Sequence, residues 1–288
     1  MEKSNKTILV TGATGKQGGA VANHLLKAGY KVRALTRNSS GSRAVNLQSK
    51  GAEIAVGSME DIDGLRKAVE GAYGVFSMQN FWEKGIGYDG EIRQAKNLID
   101  AAKEAGVQHF VQASIADIET AKGVKHFECK LVIEQYIESS GLPYTAIREV
   151  FFMDNFIDAK QGKFIFPFLS GGLKPETKFH MLAVDDIGGI VETVFSDPDK
   201  YIGKKINAAG DILTVKEMKE IYQSVTGKRP KSFNLPGFAI RLINSEMYQQ
   251  LVWNNNPGWT FDLQETRAIY PNITDFKTFI ATHKPQNL

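Results

Sequence analysis

A single cysteine, Cys129, among 288 residues leaves neither an internal disulfide nor a multi-thiolate metal site within reach, and no metal is expected. No apolar run approaches the roughly 18 residues that a membrane-spanning helix needs. Blocks of like charge are missing too. The densest basic cluster, Lys228-Arg229-Pro230-Lys231, reads as a solvated turn. With 35 basic against 32 acidic side chains, a formal net charge of +3 and no basic recognition helix, direct binding of nucleic acid is not expected. The opening MEKSNK runs straight into a strand-like segment, so a secretory leader is not expected. The expectation is a soluble, cytoplasmic protein without membrane contact. Internal repeats and low-complexity segments are also absent. Apolar residues are plentiful, at 42% of the chain. That is enough for a core of one large α/β domain, alone or with a small appendage.

The apolar residues are patterned. Short β-branched runs recur at Thr7–Val10, Lys31–Thr36, Glu53–Val56, Gly74–Met78, His109–Gln112 and Tyr144–Arg148. Helical spacing fills most of the gaps, at Ala20–Lys27, Ile62–Val69, Glu91–Glu104 and Phe127–Glu138. In the last of these, Cys129, Val132, Ile133, Tyr136 and Ile137 form one stripe, with Glu128, Glu134, Gln135 and Glu138 outside it. Gly29, Gly71, Gly106 and Gly141 read as helix stops. Strands alternating with helices predict a doubly wound, parallel α/β sheet covered on both faces. After Arg148 the rhythm breaks, and Phe151–Thr177 reads as irregular structure. A helix at Asp185–Phe195, a strand near Lys205–Ala208 and a helix at Val215–Thr226 with Thr214 as N-cap follow. Residues 1–150 are expected to form the main domain. Residues 151–288 are expected to form mostly a smaller lobe built from separated segments, with 184–212 returning to the main domain.

Chemistry enters at Thr11-Gly-Ala-Thr-Gly-Lys-Gln-Gly-Gly19, directly after the first strand. Glycines at 12, 15 and 18 allow a tight turn, a close backbone approach and helix amides aimed at an anion, which fits a dinucleotide. A glycine-rich turn without a ligand is the plain alternative. An NAD site usually carries Asp or Glu about 20 residues on, to accept from the ribose hydroxyls. Here that region reads Leu35-Thr36-Arg37-Asn38, with no acid. Arg37 can make a forked contact with a 2′-phosphate, and Lys16 can reach the same group, which favours NADP(H). Each alone would pass for a solvated surface charge.

TGATGKQGG, LTRN, GVFSMQNFWE, HFECK and FFMDNF together resemble the NmrA-like family of atypical short-chain dehydrogenase/reductases, in its NADP(H)-preferring branch. The resemblance runs from about Lys6 through Val184–Gly188 and, more weakly, to the C-terminus. It implies a Rossmann fold with the cofactor across the strand C-termini. Gly12, Thr14, Gly15, Gln17 and Gly18 would line the pyrophosphate, and Arg37 would meet the adenosine phosphate. Ser77, Met78, Gln79 and Asn80, with Phe152–Asn155 (Phe152 and Asn155 at its ends), would flank the nicotinamide. Many relatives follow the third strand with Gly-Asp, where this chain has Gly57-Ser58.

Ordinary members of the wider superfamily use Tyr-x-x-x-Lys on a helix beside the nicotinamide, with both side chains on one face. The equivalent stretch here is His126-Phe127-Glu128-Cys129-Lys130. Lys130 would hold the ribose. His126 would replace tyrosine as general acid, or else cap or pack its helix. Ser114 stands where relatives orient substrate, or else caps a loop. Cys129 reads as core. Phe81-Trp82, Phe151-Phe152, Phe156, Phe164, Phe166 and Phe168 would either line an apolar pocket or pack a lobe. Two functions stay open: an NADPH-dependent reductase of a small quinone or conjugated carbonyl, and a non-catalytic NADPH/NADP sensor acting on a regulatory protein partner. Oligomeric state is unassigned.

Overall fold

A computed structural model describes residues 2–158, 162–231 and 233–283. In chain order its first half runs β1 (Thr7–Val10), α1 (Lys16–Lys27), β2 (Lys31–Thr36), α2 (Ser42–Ser49), β3 (Glu53–Val56), α3 (Ile62–Val69), β4 (Gly74–Ser77), α4 (Gly87–Glu104), β5 (His109–Ile115), α5 (Lys125–Ser140) and β6 (Tyr144–Glu149). There follow β7 (Phe151–Phe152), α6 (Gly162–Gly172), β8 (Phe179–Leu182), α7 (Val184–Ser196), α8 (Pro198–Tyr201), β9 (Lys205–Asn207) and β10 (Asp211–Leu213). The last elements are α9 (Val215–Thr226), α10 (Gly237–Ile243), α11 (Ser245–Asn255), α12 (Leu263–Ile269) and α13 (Phe276–His283). Two compact units result. The first comprises Met1–Ile115, Cys129–Arg148 and Val184–Ile206. The second comprises Ala116–Glu128, Glu149–Ala183 and Asn207–Leu288. Residues 116–128, which the sequence reading placed with the first 150, thus group with the second unit, and the returning segment stops at 206 instead of 212.

The first unit is built on a seven-stranded sheet in the order β3-β2-β1-β4-β5-β6-β9. The strands from β3 to β5 pair in parallel, with Ile8, Leu9 and Val10 of β1 opposite Gly74, Val75 and Phe76 of β4. Those β1 residues are wholly buried, as a strand covered on both faces requires. On one face Leu98 and Ile99 of α4 and Ile133 and Ile137 of α5 share a core with Leu9, Val75 and Phe110. On the other face α1 packs against α7. Gly188 makes that contact close: a Cβ there would stand 2.7 Å from the Ala20 carbonyl oxygen. The four predicted helix-stop glycines all adopt positive φ.

Besides the short β7, β8, α8 and β10, two helices were not foreseen. One is α2, whose polar sequence SRAVNLQS buries only Ala44 and Leu47. The other is α6, which lies in the segment read as irregular and carries Pro167 inside it. Its helix survives because Ile165, Phe166 and Leu169 are buried, so tertiary packing overrides a poor local propensity. Glu134, outside the apolar stripe of α5, is nonetheless fully buried.

The second unit has a three-stranded sheet, β10-β8-β7, with β10 antiparallel and β7 parallel to β8. Aromatic rings fill its core. Phe151 meets Phe179 at 5.1 Å between centroids, Phe156 meets Phe276 at 4.9 Å, and Phe166 meets Tyr222 at 5.4 Å. These three phenylalanines therefore pack the unit, whereas Phe164 is exposed beside the Lys231 ammonium. The predicted Thr214 cap is a full capping box with Glu217 at α9.

His109 opens β5 as a buried neutral imidazole. Its Nε2 lies 2.8 Å from the Thr145 hydroxyl, which itself donates to the Tyr201 carbonyl, so Nε2 carries the proton. Burial, with help from the Lys6 charge, pushes its pKa down to about 4. A depressed histidine contributes stability above its unfolded pKa and loses it as pH falls. Urea denaturation should accordingly show roughly 3 kcal/mol of acid destabilisation from this group between pH 6.5 and pH 4. His109→Gln should flatten that part of the profile, and an unchanged slope would contradict the assignment.

Candidate functional site

The predicted loop occupies the point where the strand order reverses, between β1 and β4. In open α/β sheets ligands bind at such a point, outside the strand C-termini. Thr11, which the sequence reading did not single out, ties the two strand ends together. Its hydroxyl donates to the Met78 carbonyl at 2.9 Å and accepts from the Met78 amide at 2.7 Å. Gly12 turns the chain at φ +59°, and a Cβ there would stand 2.6 Å from the Met78 methyl. Gly15 donates to the Gly12 carbonyl at 2.8 Å and begins α1 as a cap with no side chain to offer the first turn. Gly18 lies against the same carbonyls, where a Cβ would meet Gly12 O at 2.4 Å and Thr11 O at 2.5 Å. Gln17 is buried, Thr14 is half-buried and Lys16 is exposed.

Arg37 follows β2 with its side chain 69% exposed and paired with Glu83. A second guanidinium was missed because α2 was missed: Arg43 donates to the Thr14 carbonyl at 3.0 Å. After β4, Gln79 is buried, donating to Ser77 Oγ at 2.8 Å and accepting from Gln112 Nε2 at 3.1 Å. Asn80 is exposed and holds a turn by accepting from the Trp82 amide at 3.2 Å.

Lys130 stands on α5 with Nζ 2.8 Å from Oε1 of the buried Glu91, whose other oxygen accepts from the Cys129 thiol at 2.8 Å. Burial first, and then the Glu91 charge, raise the Cys129 pKa far above the ordinary thiol range, so this thiol is inert. Ser114 donates at 2.5 Å to Glu134, which also receives Nε and Nη2 of Arg148 at 3.0 and 2.7 Å. The Ser114 proton is committed to that buried carboxylate. All these residues belong to the first unit. The second unit holds His126, Phe152 and Asn155.

His126 is buried within the second unit. Its Nδ1 lies 2.6 Å from Glu246 Oε1, which also accepts the His126 amide at 2.8 Å, and its Nε2 lies 3.2 Å from Gln250 Oε1. Glu246 and Gln250 sit four apart on α11 and so share a face. Nothing in their sequence context marks them. Burial opposes ionisation of Glu246, but the His126 ring and amide hold its carboxylate below the usual range. Phe152 and Asn155 are half-buried, the first in β7 and the second in a 3-10 turn after it. Among the described residues no cluster of His, Cys, Asp or Glu is arranged to hold a metal ion, and no helix is long and apolar enough to cross a membrane.

The strand order and the glycine turn at its reversal define a Rossmann-type α/β protein. More narrowly, the chain belongs to the NmrA-like family, whose model matches residues 4–279. It is 33% identical over 254 residues to the NmrA-like family domain-containing oxidoreductase hkm9 of Aspergillus hancockii, a match covering 80% of this chain and 76% of that protein. Two solved structures share the fold at 21% identity and 96% coverage of this chain. One is NmrA, a negative transcriptional regulator, in complex with NADP (TM-score 0.78, 94% of that chain). The other is the NADPH-dependent quinone oxidoreductase QOR2 of Escherichia coli complexed with NADPH (TM-score 0.79, 99% of that chain).

The Glu134 arrangement has a measurable consequence. Arg148→Met takes the bidentate partner from a fully buried carboxylate, which keeps Ser114 and, at 3.5 Å, the Lys205 ammonium, and should lower unfolding free energy by up to about 3–5 kcal/mol in urea. Adding Glu134→Gln to that variant should recover much of the loss. No recovery would show that packing, and not the charge pair, sets the effect.

Proposed function

We propose that this protein binds NADP(H) on the β1–α1 turn and uses it as an oxidoreductase on a small quinone or conjugated carbonyl. One observation carries the reading: Gly12 turns at a positive φ and Gly18 leaves no space for a Cβ against backbone carbonyls, a tight turn of the kind that offers backbone donors to a pyrophosphate. Thr14, Gly15, Lys16 and Gln17 complete that turn. Arg37 and Lys16 supply the cations for a 2′-phosphate, a group the second strand does not repel because it ends without an acid. When bound, the reduced nicotinamide supplies a hydride. In this reading Ser77, Met78, Gln79, Asn80, Phe152 and Asn155 line the nicotinamide end and exclude water. Lys130, braced by Glu91, fixes the ribose. His126 is the proton donor, its ring oriented by Glu246, and Ser114 orients the substrate oxygen by turning its O–H from Glu134 toward it. The names of relatives support the class: hkm9 is an oxidoreductase, and QOR2 is a quinone oxidoreductase.

One observation favours a second reading, a non-catalytic sensor of the NADPH/NADP ratio that docks on a regulatory protein. Both ring nitrogens of His126 already face an acceptor, so its proton is engaged before any substrate arrives. NmrA itself is described as a transcriptional regulator.

Oxidation of NADPH in the presence of a panel of quinones and conjugated aldehydes separates the two. We expect turnover that falls by about 100-fold or more in the His126→Ala, Lys130→Ala double variant, in line with loss of acid catalysis and positioning. Turnover that survives the double change would keep the enzyme and discard this assignment of residues. Saturable NADPH binding with no turnover across the panel would favour the sensor.

A further inference from the structure

The end of β2 lacks the carboxylate that an unphosphorylated dinucleotide usually meets, yet the fold brings one there from elsewhere. Glu83, in the turn between β4 and α4, pairs through Oε1 with Nη1 of Arg37. Strands β2 and β4 flank β1 on either side. A contact between the residue just past β2 and one beyond β4 therefore spans the C-terminal end of β1, where the glycine turn lies.

Glu83 is not a loose surface charge. Its amide donates to the Asn80 carbonyl at 3.1 Å, its carbonyl accepts from the Ile86 amide at 3.0 Å, and Gly87 donates to Phe81 at 3.2 Å. Its side chain is 34% exposed against 69% for Arg37. The carboxylate thus stands on a braced turn, while the guanidinium it holds is an exposed group with more than one N–H donor.

From this juxtaposition we propose that Glu83 is the acid half of the cofactor selector, resting on the dinucleotide reading above. Toward an unphosphorylated adenosine ribose it is the acceptor for the hydroxyls, the role that Asp or Glu after β2 fills in an NAD site. Toward a 2′-phosphate it is a competitor, because the phosphate must take Arg37 from it and lie near a like charge. The chain accordingly accepts both forms of the coenzyme, and its preference for the phosphorylated one is narrower than Arg37 alone would set.

Equilibrium titration of the full chain with NADPH and with NADH tests this, using wild type, the isosteric Glu83→Gln, Arg37→Ala and the double variant. Thermal unfolding of each is followed to confirm the fold. Glu83→Gln should tighten NADPH about two- to fivefold, the scale of an exposed ion pair. It should weaken NADH about five- to tenfold, the scale of a lost charged acceptor. Arg37→Ala should weaken NADPH far more than NADH. In that background the gain for NADPH on changing Glu83 should shrink to the part set by like-charge repulsion, while the loss for NADH persists. Equal factors for both coenzymes in Glu83→Gln, or no change in either, would overturn the proposal and leave dinucleotide binding standing. Wild-type protein that binds neither coenzyme would remove the dinucleotide reading and this inference together.

Discussion

Helix α1 can start where it does only because Gly18 has no side chain. Its Cα lies against the carbonyls of Thr11 and Gly12, and any Cβ would sit about half an ångström or more inside normal contact with them. That contact fixes the angle at which α1 leaves the strand, which in turn lays α1 against α7 through the equally close approach of Gly188 to Ala20. The segment 184–206 is thereby drawn back to the first unit, although 35 residues of other structure intervene after Arg148. The turn that would hold a ligand and the packing of one whole face of the sheet share a single steric constraint.

Around that frame the buried charges are organised in separate clusters. Glu134 binds Arg148 and Ser114, Glu91 faces Lys130 and Cys129, and Glu246 orients His126. In each cluster a carboxylate without a strong sequence signature fixes a side chain that the sequence singles out. Charges removed from water need such partners, and the partners also hold their groups in one orientation. The Ser114 hydroxyl and the His126 ring are accordingly engaged by carboxylates of their own units.

The sheet was legible because its strands are short apolar runs at the spacing of βα units, and β1, β2 and β3 match their predicted bounds. The glycine turn was legible from its place directly after β1. What escaped did so for physical reasons. Helix α2 is polar and buries two side chains, too few to make a stripe. Helix α6 contains Pro167 and glycines, so its stability comes from burial of Ile165 and Leu169 and from Phe166 packing on the distant rings of Phe156 and Tyr222. The burial of Glu134 escaped because a single stripe cannot reveal a helix touched on two sides. Glu246 and Gln250 lie 120 and 124 residues from the histidine they clamp. Arg43 went unread together with α2, and Glu83 reaches Arg37 only through the strand order, which periodicity does not disclose.

Backbone hydrogen exchange, followed by mass spectrometry with and without saturating NADPH, tests the central claim most directly. If the β1–α1 turn holds the dinucleotide, amides across 12–19 and 77–87 should slow on binding, while those of β8 and β10 stay unchanged. Saturable binding that leaves 12–19 unprotected would place the ligand elsewhere and contradict the account.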